Sequence, residues 1–137
     1  LPTFASYWLG TDIAERVEMG LLTEEEAQQE QTARKIMRES VLEAIGPENE
    51  EEVAGVKQEK QMEKVLESIF GELSQSNAGT VLVNLEDAWF CREPQNVPGT
   101  WKEKPNWRHK SRYSNKELDG VAYLKWIVEK INRARNS

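Results

Sequence analysis

The side chains of this sequence best suited to chemistry gather between Glu86 and Tyr113. Trp101, Trp107, Arg108, His109, Lys110, Arg112 and Tyr113 interleave aromatic rings with cations, a mixture that can stack bases and neutralise phosphates. Asn96 stands in Gln95-Asn96-Val97-Pro98-Gly99, where an amide is either turn chemistry or a polar contact for a ligand. Glu86 and Asp87 read as a helix cap or ion-pair partners before they read as ligand contacts. Trp107 with Arg108 reads as a packing anchor, and His109, among cations, as a solvated histidine. Cys91 has no histidine partner or motif close by, which argues against a nucleophilic thiol. With one cysteine and one histidine, the chain cannot assemble a Cys/His zinc site on its own.

Charge divides the chain. Residues 1–76 carry 7 basic and 17 acidic side chains, net −10, whereas residues 77–137 carry 11 and 7, net +4. The total is −6 over 137 residues, a polar composition sized for one domain or part of a larger one. The overall acidity and the lack of a nucleic-acid motif count against nucleic acid as the partner of the basic stretch. No apolar run approaches the roughly 18 residues of a membrane span. A lone cysteine allows no internal disulfide, so nothing points to secretion, and a cytoplasmic setting is expected. The opening Leu1-Pro2-Thr3 has neither methionine nor signal pattern and reads as a start inside a longer protein.

Helices must position these groups. Phe4, Tyr7 and Trp8 fall on one side of a helical turn that Gly10 ends, with Tyr7 and Trp8 filling core space. Thr11 is expected to cap a short helix through Met19, closed by Gly20. Thr23-Glu24-Glu25-Glu26 is a capping-box pattern opening a helix to about Ile45. Ala33, Ile36, Met37, Ser40, Val41, Ala44 and Ile45 form its stripe, and Gly46-Pro47 stops it. Glu48 to Glu52 reads as a charged surface loop. A second long helix carries Val53, Val56, Met62, Val65, Leu66, Ile69, Phe70 and Leu73.

Thr80 to Leu85 is short, β-branched and apolar on both faces apart from Asn84, the pattern of a buried parallel strand. Such a strand needs neighbours on both sides, which are expected upstream in a parent protein or in another copy. An irregular stretch from Ala88 to about Tyr113 follows, longer than structureless loops usually run. A last helix is expected from about Asn115, capped by Ser114 or Asn115, burying Val121, Leu124, Ile127, Val128 and Ile131. Its basic end, Lys130, Arg133 and Arg135, suits the negative helix terminus. Strand, long loop at its carboxyl end, then helix is one βα unit of a barrel or doubly wound sheet.

Four phrases, in order and at fitting separations, carry a resemblance. They are Leu1-Pro2-Thr3 with Tyr7-Trp8, Leu85-Glu86-Asp87, Gln95-Asn96-Val97-Pro98-Gly99-Thr100, and Pro105-Asn106-Trp107-Arg108. Together they resemble the C-terminal part of the 4-alpha-glucanotransferases (amylomaltases, disproportionating enzymes; glycoside hydrolase family 77). The resemblance implies an α/β fold: the last portion of a (β/α)8 barrel, mostly helical with one main strand. Residues 1–76 would be its helical region, and residues 77–137 strand 8, the substrate-side loop and the final helix. The family's nucleophilic aspartate, acid/base glutamate and transition-state aspartate would lie before Leu1, so no residue of this chain is expected to be catalytic.

What the resemblance places here is the wall of the sugar site. In the substrate-binding set, Asn96 would reach a sugar hydroxyl, because an amide donates and accepts at once, as a hydroxyl does, and Pro98 and Gly99 would shape the turn that carries it. Trp101, which matches no family motif, reads as a flat apolar face for a glucose ring. Thr3, Trp8, Asp87, Asn106 and Trp107 would be structural near the site. The implied partners are alpha-1,4-glucans and maltooligosaccharides together with the rest of the parent barrel, with no nucleic acid, no membrane, no metal and no organic cofactor. The implied reaction is retaining transfer to the 4-hydroxyl of an acceptor sugar. The alternative reading is a non-enzymatic, acidic helical module that binds protein or nucleic acid through its basic aromatic loop.

Overall fold

A computed structural model describes residues 2–46, 54–102, 104 and 106–136. Leu1, the Pro47 stop, the Glu48–Glu52 loop, Val53 and Pro105 lie outside the described residues, as does the side chain of Val56. Among the described residues five α-helices follow one another: α1 Phe4–Leu9, α2 Thr11–Glu18, α3 Glu24–Ile45, α4 Ala54–Gln75 and α5 Ala122–Arg135. No described helix is long and apolar enough to cross a membrane.

Local chemistry explains the helix ends. Thr3 Oγ1 accepts from Ser6 N at 3.2 Å and caps α1. Gly10, at φ +79°, closes α1 by donating its N–H to Ser6 O and serves at once as the N-cap of α2. Thr11 is therefore the first helical residue rather than the cap, and its hydroxyl instead pairs with Ser6 Oγ at 2.9 Å. The capping box at Thr23 and Glu26 forms in both directions.

Burial joins the helices through two adjoining clusters. Leu66 and Phe70 of α4 meet Leu124, Ile127 and Ile131 of α5 and Ala88. Ala5 and Trp8 of α1 meet Met62 and Val65 of α4, with Met37, Val41, Leu42 and Ile45 of α3 beside them. Phe4 and Phe90 touch both clusters, so α1 and the segment after Leu85 sit at the seam. Each buried side chain of this size stabilises by about 1.5–3 kcal/mol.

Several expectations change. The described residues contain no strand. Residues 80–84 hold no regular secondary structure, and no backbone hydrogen bond ties Thr80 to Val83 to a neighbour among the described residues. Val81 and Val83 pack on the α4–α5 cluster while Leu82 is 86% exposed, so one face is covered and the other open. The physical reason is that a ladder needs a second extended segment, and none is described here. Leu85–Trp89 then coils into a 3-10 turn. The final helix starts at Ala122, later than Asn115. Ser114 donates through N and Oγ to Glu117 Oε2, which caps an isolated turn, and a 3-10 turn over Leu118–Gly120 intervenes. On α3, Met37, Val41 and Ile45 pack inward as expected, but Ala33, Ile36, Ser40 and Ala44 are exposed, and Ala27, Arg34 and Leu42 complete the inward face. On α5, Val128 is exposed; on α4, Ile69 and Leu73 are.

Candidate functional site

Two segments far apart in sequence are stitched together at the start of α1. Thr3 donates its hydroxyl to the carbonyl of Cys91, and Phe4 N donates to Asp87 Oδ1 at 2.8 Å. Asp87 thus supplies an acceptor to an α1 amide that the helix itself leaves without a partner. Burial pushes the Asp87 carboxyl above its usual range, against the lowering effect of the Phe4 N–H and of the Asn84 side chain. Asp87 is a tether between the chain start and the segment after Leu85.

Beside this tether α2 and α3 are clasped by four charges. Arg34 donates to Asp12 Oδ1 at 2.5 Å and Oδ2 at 2.7 Å, and to Glu30 Oε1 at 2.5 Å. Arg16 donates to both oxygens of Glu30 at 2.6 Å. Burial opposes ionisation of Glu30, but the hydrogen bonds and charges of Arg16 and Arg34 outweigh it and hold its carboxyl below the usual value. Arg34 also donates to Tyr7 O at 3.0 Å, and its guanidinium carbon lies 3.9 Å from the centroid of the Tyr7 ring.

Between these features lies a cleft of about 640 Å³, within the range of small-molecule sites. Its walls include Tyr7 from α1, Asp12 and Glu15 from α2, Glu30 and Arg34 from α3, and Asp87, Asn96 and Pro98 from the irregular segment. An amide, carboxylates and an aromatic ring around one space can hold a polyhydroxylated molecule through hydrogen bonds and ring contact. Among the described residues, no group of three or more His, Cys, Asp or Glu is placed to hold a metal ion.

The residues singled out from sequence separate. Asn96 and Pro98 line the cleft, as do Thr3 and Asp87. Trp8 is buried in the core beside α4. Gly99 holds φ +88°, and a Cβ there would come within 3.3 Å of Leu21 Cδ2, so its place is in the turn and not on the cleft wall. Trp101 is 85% exposed and does not line the cleft. Asn106 is scaffold: its Oδ1 accepts from Val97 N at 2.9 Å and its Nδ2 donates to Thr100 O at 3.1 Å and Thr100 Oγ1 at 2.9 Å. Trp107 is corrected as a packing anchor. The residue is 74% exposed, and its backbone, at φ +61°, donates N–H to Gln95 O. Tyr7, expected inside the core, faces outward with 39% exposure. His109 is half-buried, 3.5 Å from Glu93.

Sequence reasoning passed over Asp12, Glu15, Arg16, Glu30 and Arg34. A signal existed: Arg34 occupies a position in phase with Ala27, Met37 and Val41, and a cation in an apolar stripe needs a buried partner.

A family model described as 4-alpha-glucanotransferase matches residues 1–115. The chain belongs to that family, glycoside hydrolase family 77. The matched span of this glucanotransferase family member holds every cleft residue named above and ends before α5. No curated protein and no solved structure matches the chain.

Proposed function

We propose that this chain is the C-terminal segment of a 4-alpha-glucanotransferase and forms the wall of its sugar site. The enzyme would transfer alpha-1,4-glucan segments to the 4-hydroxyl of an acceptor sugar by a retaining double displacement. A carboxylate attacks the anomeric carbon while an acid protonates the leaving oxygen, and the acceptor hydroxyl then displaces the carboxylate. No carboxylate of this chain stands at a motif position that the family resemblance assigns to either role. The segment's task is binding and orientation, which favours a sugar acceptor over water. The family match is the observation that carries this reading. The cleft that brings Asn96, Tyr7 and several carboxylates together supports it.

In the whole enzyme, residues 80–85 become the eighth strand of a (β/α)8 barrel and pair with the strands beside them. Two features support this: inward Val81 and Val83 alternate with outward Leu82, and the backbone from Thr80 to Val83 has no ladder partner among the described residues. Asn96 contacts a sugar hydroxyl, with Pro98 and Gly99 shaping its turn and Trp101 offering a ring face. The rest of the barrel is the partner, and the cytoplasm the compartment.

The test is titration of the purified chain with maltoheptaose, followed by amide-resolved NMR, alongside an assay of maltose-to-maltotriose exchange. Saturable shifts around Asn96 without exchange activity are expected. Exchange by the chain alone, or no response to the glucan, overturns the reading. One observation favours an interaction module instead: Trp101 and Trp107 are strongly exposed among exposed Lys102, Arg108 and Lys110. Tight, salt-sensitive binding of a single-stranded oligonucleotide with no glucan response would select it.

A further inference from the structure

We infer that Tyr7 is a stacking platform for one glucosyl ring of the bound glucan, held in position from behind by Arg34. The inference rests on the glucan reading above and adds a subsite residue to it.

On α1, Ala5, Ser6 and Trp8 are buried, whereas Tyr7 is 39% exposed and lines the same cleft as Asn96 and Pro98. One face of its ring is taken by the Arg34 guanidinium at 3.9 Å. The residue nevertheless keeps 39% of its surface open and lines the cleft, so a ligand in the cleft approaches it from the side that Arg34 does not occupy. Arg34 cannot readily move away. It is 6% exposed, gripped by both oxygens of Asp12 and by Glu30, and it also donates to the carbonyl of Tyr7 itself. Ring and backbone of Tyr7 are thus fixed by one cation, and a platform that is already ordered loses little freedom when a ligand arrives.

The chemistry of a glucosyl unit matches such a platform. A pyranose in its chair form presents a face of axial C–H groups, which is attracted to the electron-rich face of an aromatic ring. Its equatorial hydroxyls point sideways and need donors and acceptors around the rim. The cleft supplies the Asn96 amide together with the carboxylates of Glu15 and Glu30. A solitary exposed tyrosine is ordinary on a protein surface. A tyrosine backed by a buried, doubly anchored arginine inside a polar cleft is a built feature.

The test uses the whole chain and its Tyr7→Ala, Tyr7→Phe and Asn96→Ala variants, each titrated with maltoheptaose by NMR. Tyr7→Phe keeps the ring and should bind within about twofold of the parent, whereas Tyr7→Ala should bind roughly five- to tenfold more weakly. Nuclear Overhauser contacts should join Tyr7 ring protons to sugar C–H protons. Unchanged affinity in Tyr7→Ala while Asn96→Ala weakens binding overturns the platform and leaves the glucan reading standing. A parent chain that does not bind maltoheptaose overturns both. Should Tyr7→Ala fail to fold, the Overhauser contacts in the parent and in Tyr7→Phe decide, and their absence overturns the platform.

Discussion

The guanidinium of Arg34 holds both carboxylate oxygens of Asp12, at 2.5 and 2.7 Å, with each side chain almost closed off from water. This parallel pair of charge-assisted bonds fastens α3 to α2, whose own core contribution is the fully buried Ile13. The Nε of Arg34 is buried with no hydrogen-bond partner among the described residues, so the network is not free of cost.

Arg34→Ala should therefore be among the most damaging single changes in the molecule. It leaves the buried Asp12 with only the longer 3.6 Å ion pair to Arg16 and frees Glu30 from one of its two cations. The expected loss is about 3 kcal/mol, read as a lowered thermal midpoint. Arg34→Lys should recover only part of it, because an ammonium cannot span both oxygens of Asp12. A lysine variant as stable as the parent would contradict the bidentate account.

Glu30 makes the same clasp sensitive to acid. Its carboxyl is held below the ordinary 4.5, so its contribution is complete above 4.5 and disappears as pH falls through the folded-state value. Glu30→Gln should be less stable than the parent at pH 7, and the two should converge in strongly acidic solution. Unfolding midpoints at pH 7 and pH 3 measure this, and a constant difference would refute it.

Asp87 has the opposite sign. Burial raises its carboxyl above the ordinary 3.8, so its favourable, protonated contribution is complete below 3.8 and is lost as pH rises through the folded-state value. Asp87→Asn keeps an oxygen able to accept from Phe4 N and carries no charge to bury. Relative to the parent it should gain stability between pH 3 and pH 7. A variant that falls further behind the parent as pH rises would show that the ionised carboxylate is what the tether requires.

Asn106 is expected to act on the Asn96 turn without touching ligand. Asn106→Ala removes the acceptor for Val97 N and both bonds to Thr100. Hydrogen exchange at the Val97 amide should accelerate by about tenfold, with little change at α5. Maltoheptaose affinity should fall as Asn96 loses its frame. Unchanged exchange at Val97 would mean the turn holds itself.

Much of this molecule was legible residue by residue. The capping box of Thr23 and Glu26 and the Gly10 turn rest on interactions within a few positions of one another, and the helical spacing of Leu66 and Phe70 and of Leu124, Ile127 and Ile131 displays most of the inward faces of α4 and α5. The family phrases were legible too, and they placed Asn96 and Asp87 together before their contact with one cleft was visible. Interactions between distant parts of the chain were not. Whether Thr80 to Val83 becomes a strand depends on a neighbour elsewhere, since its hydrogen bonds cannot close within the segment. The burial of Arg34 depended on α2 turning Asp12 toward α3, and its stacking on the Tyr7 ring depended on α1 and α3 lying side by side. By itself the sequence determined the existence of the helices, the caps at Thr23 and Gly10 and the family, because those follow from local geometry and motif. Only the tertiary structure decided which polar side chains share the cleft, because that choice is made by how the helices meet.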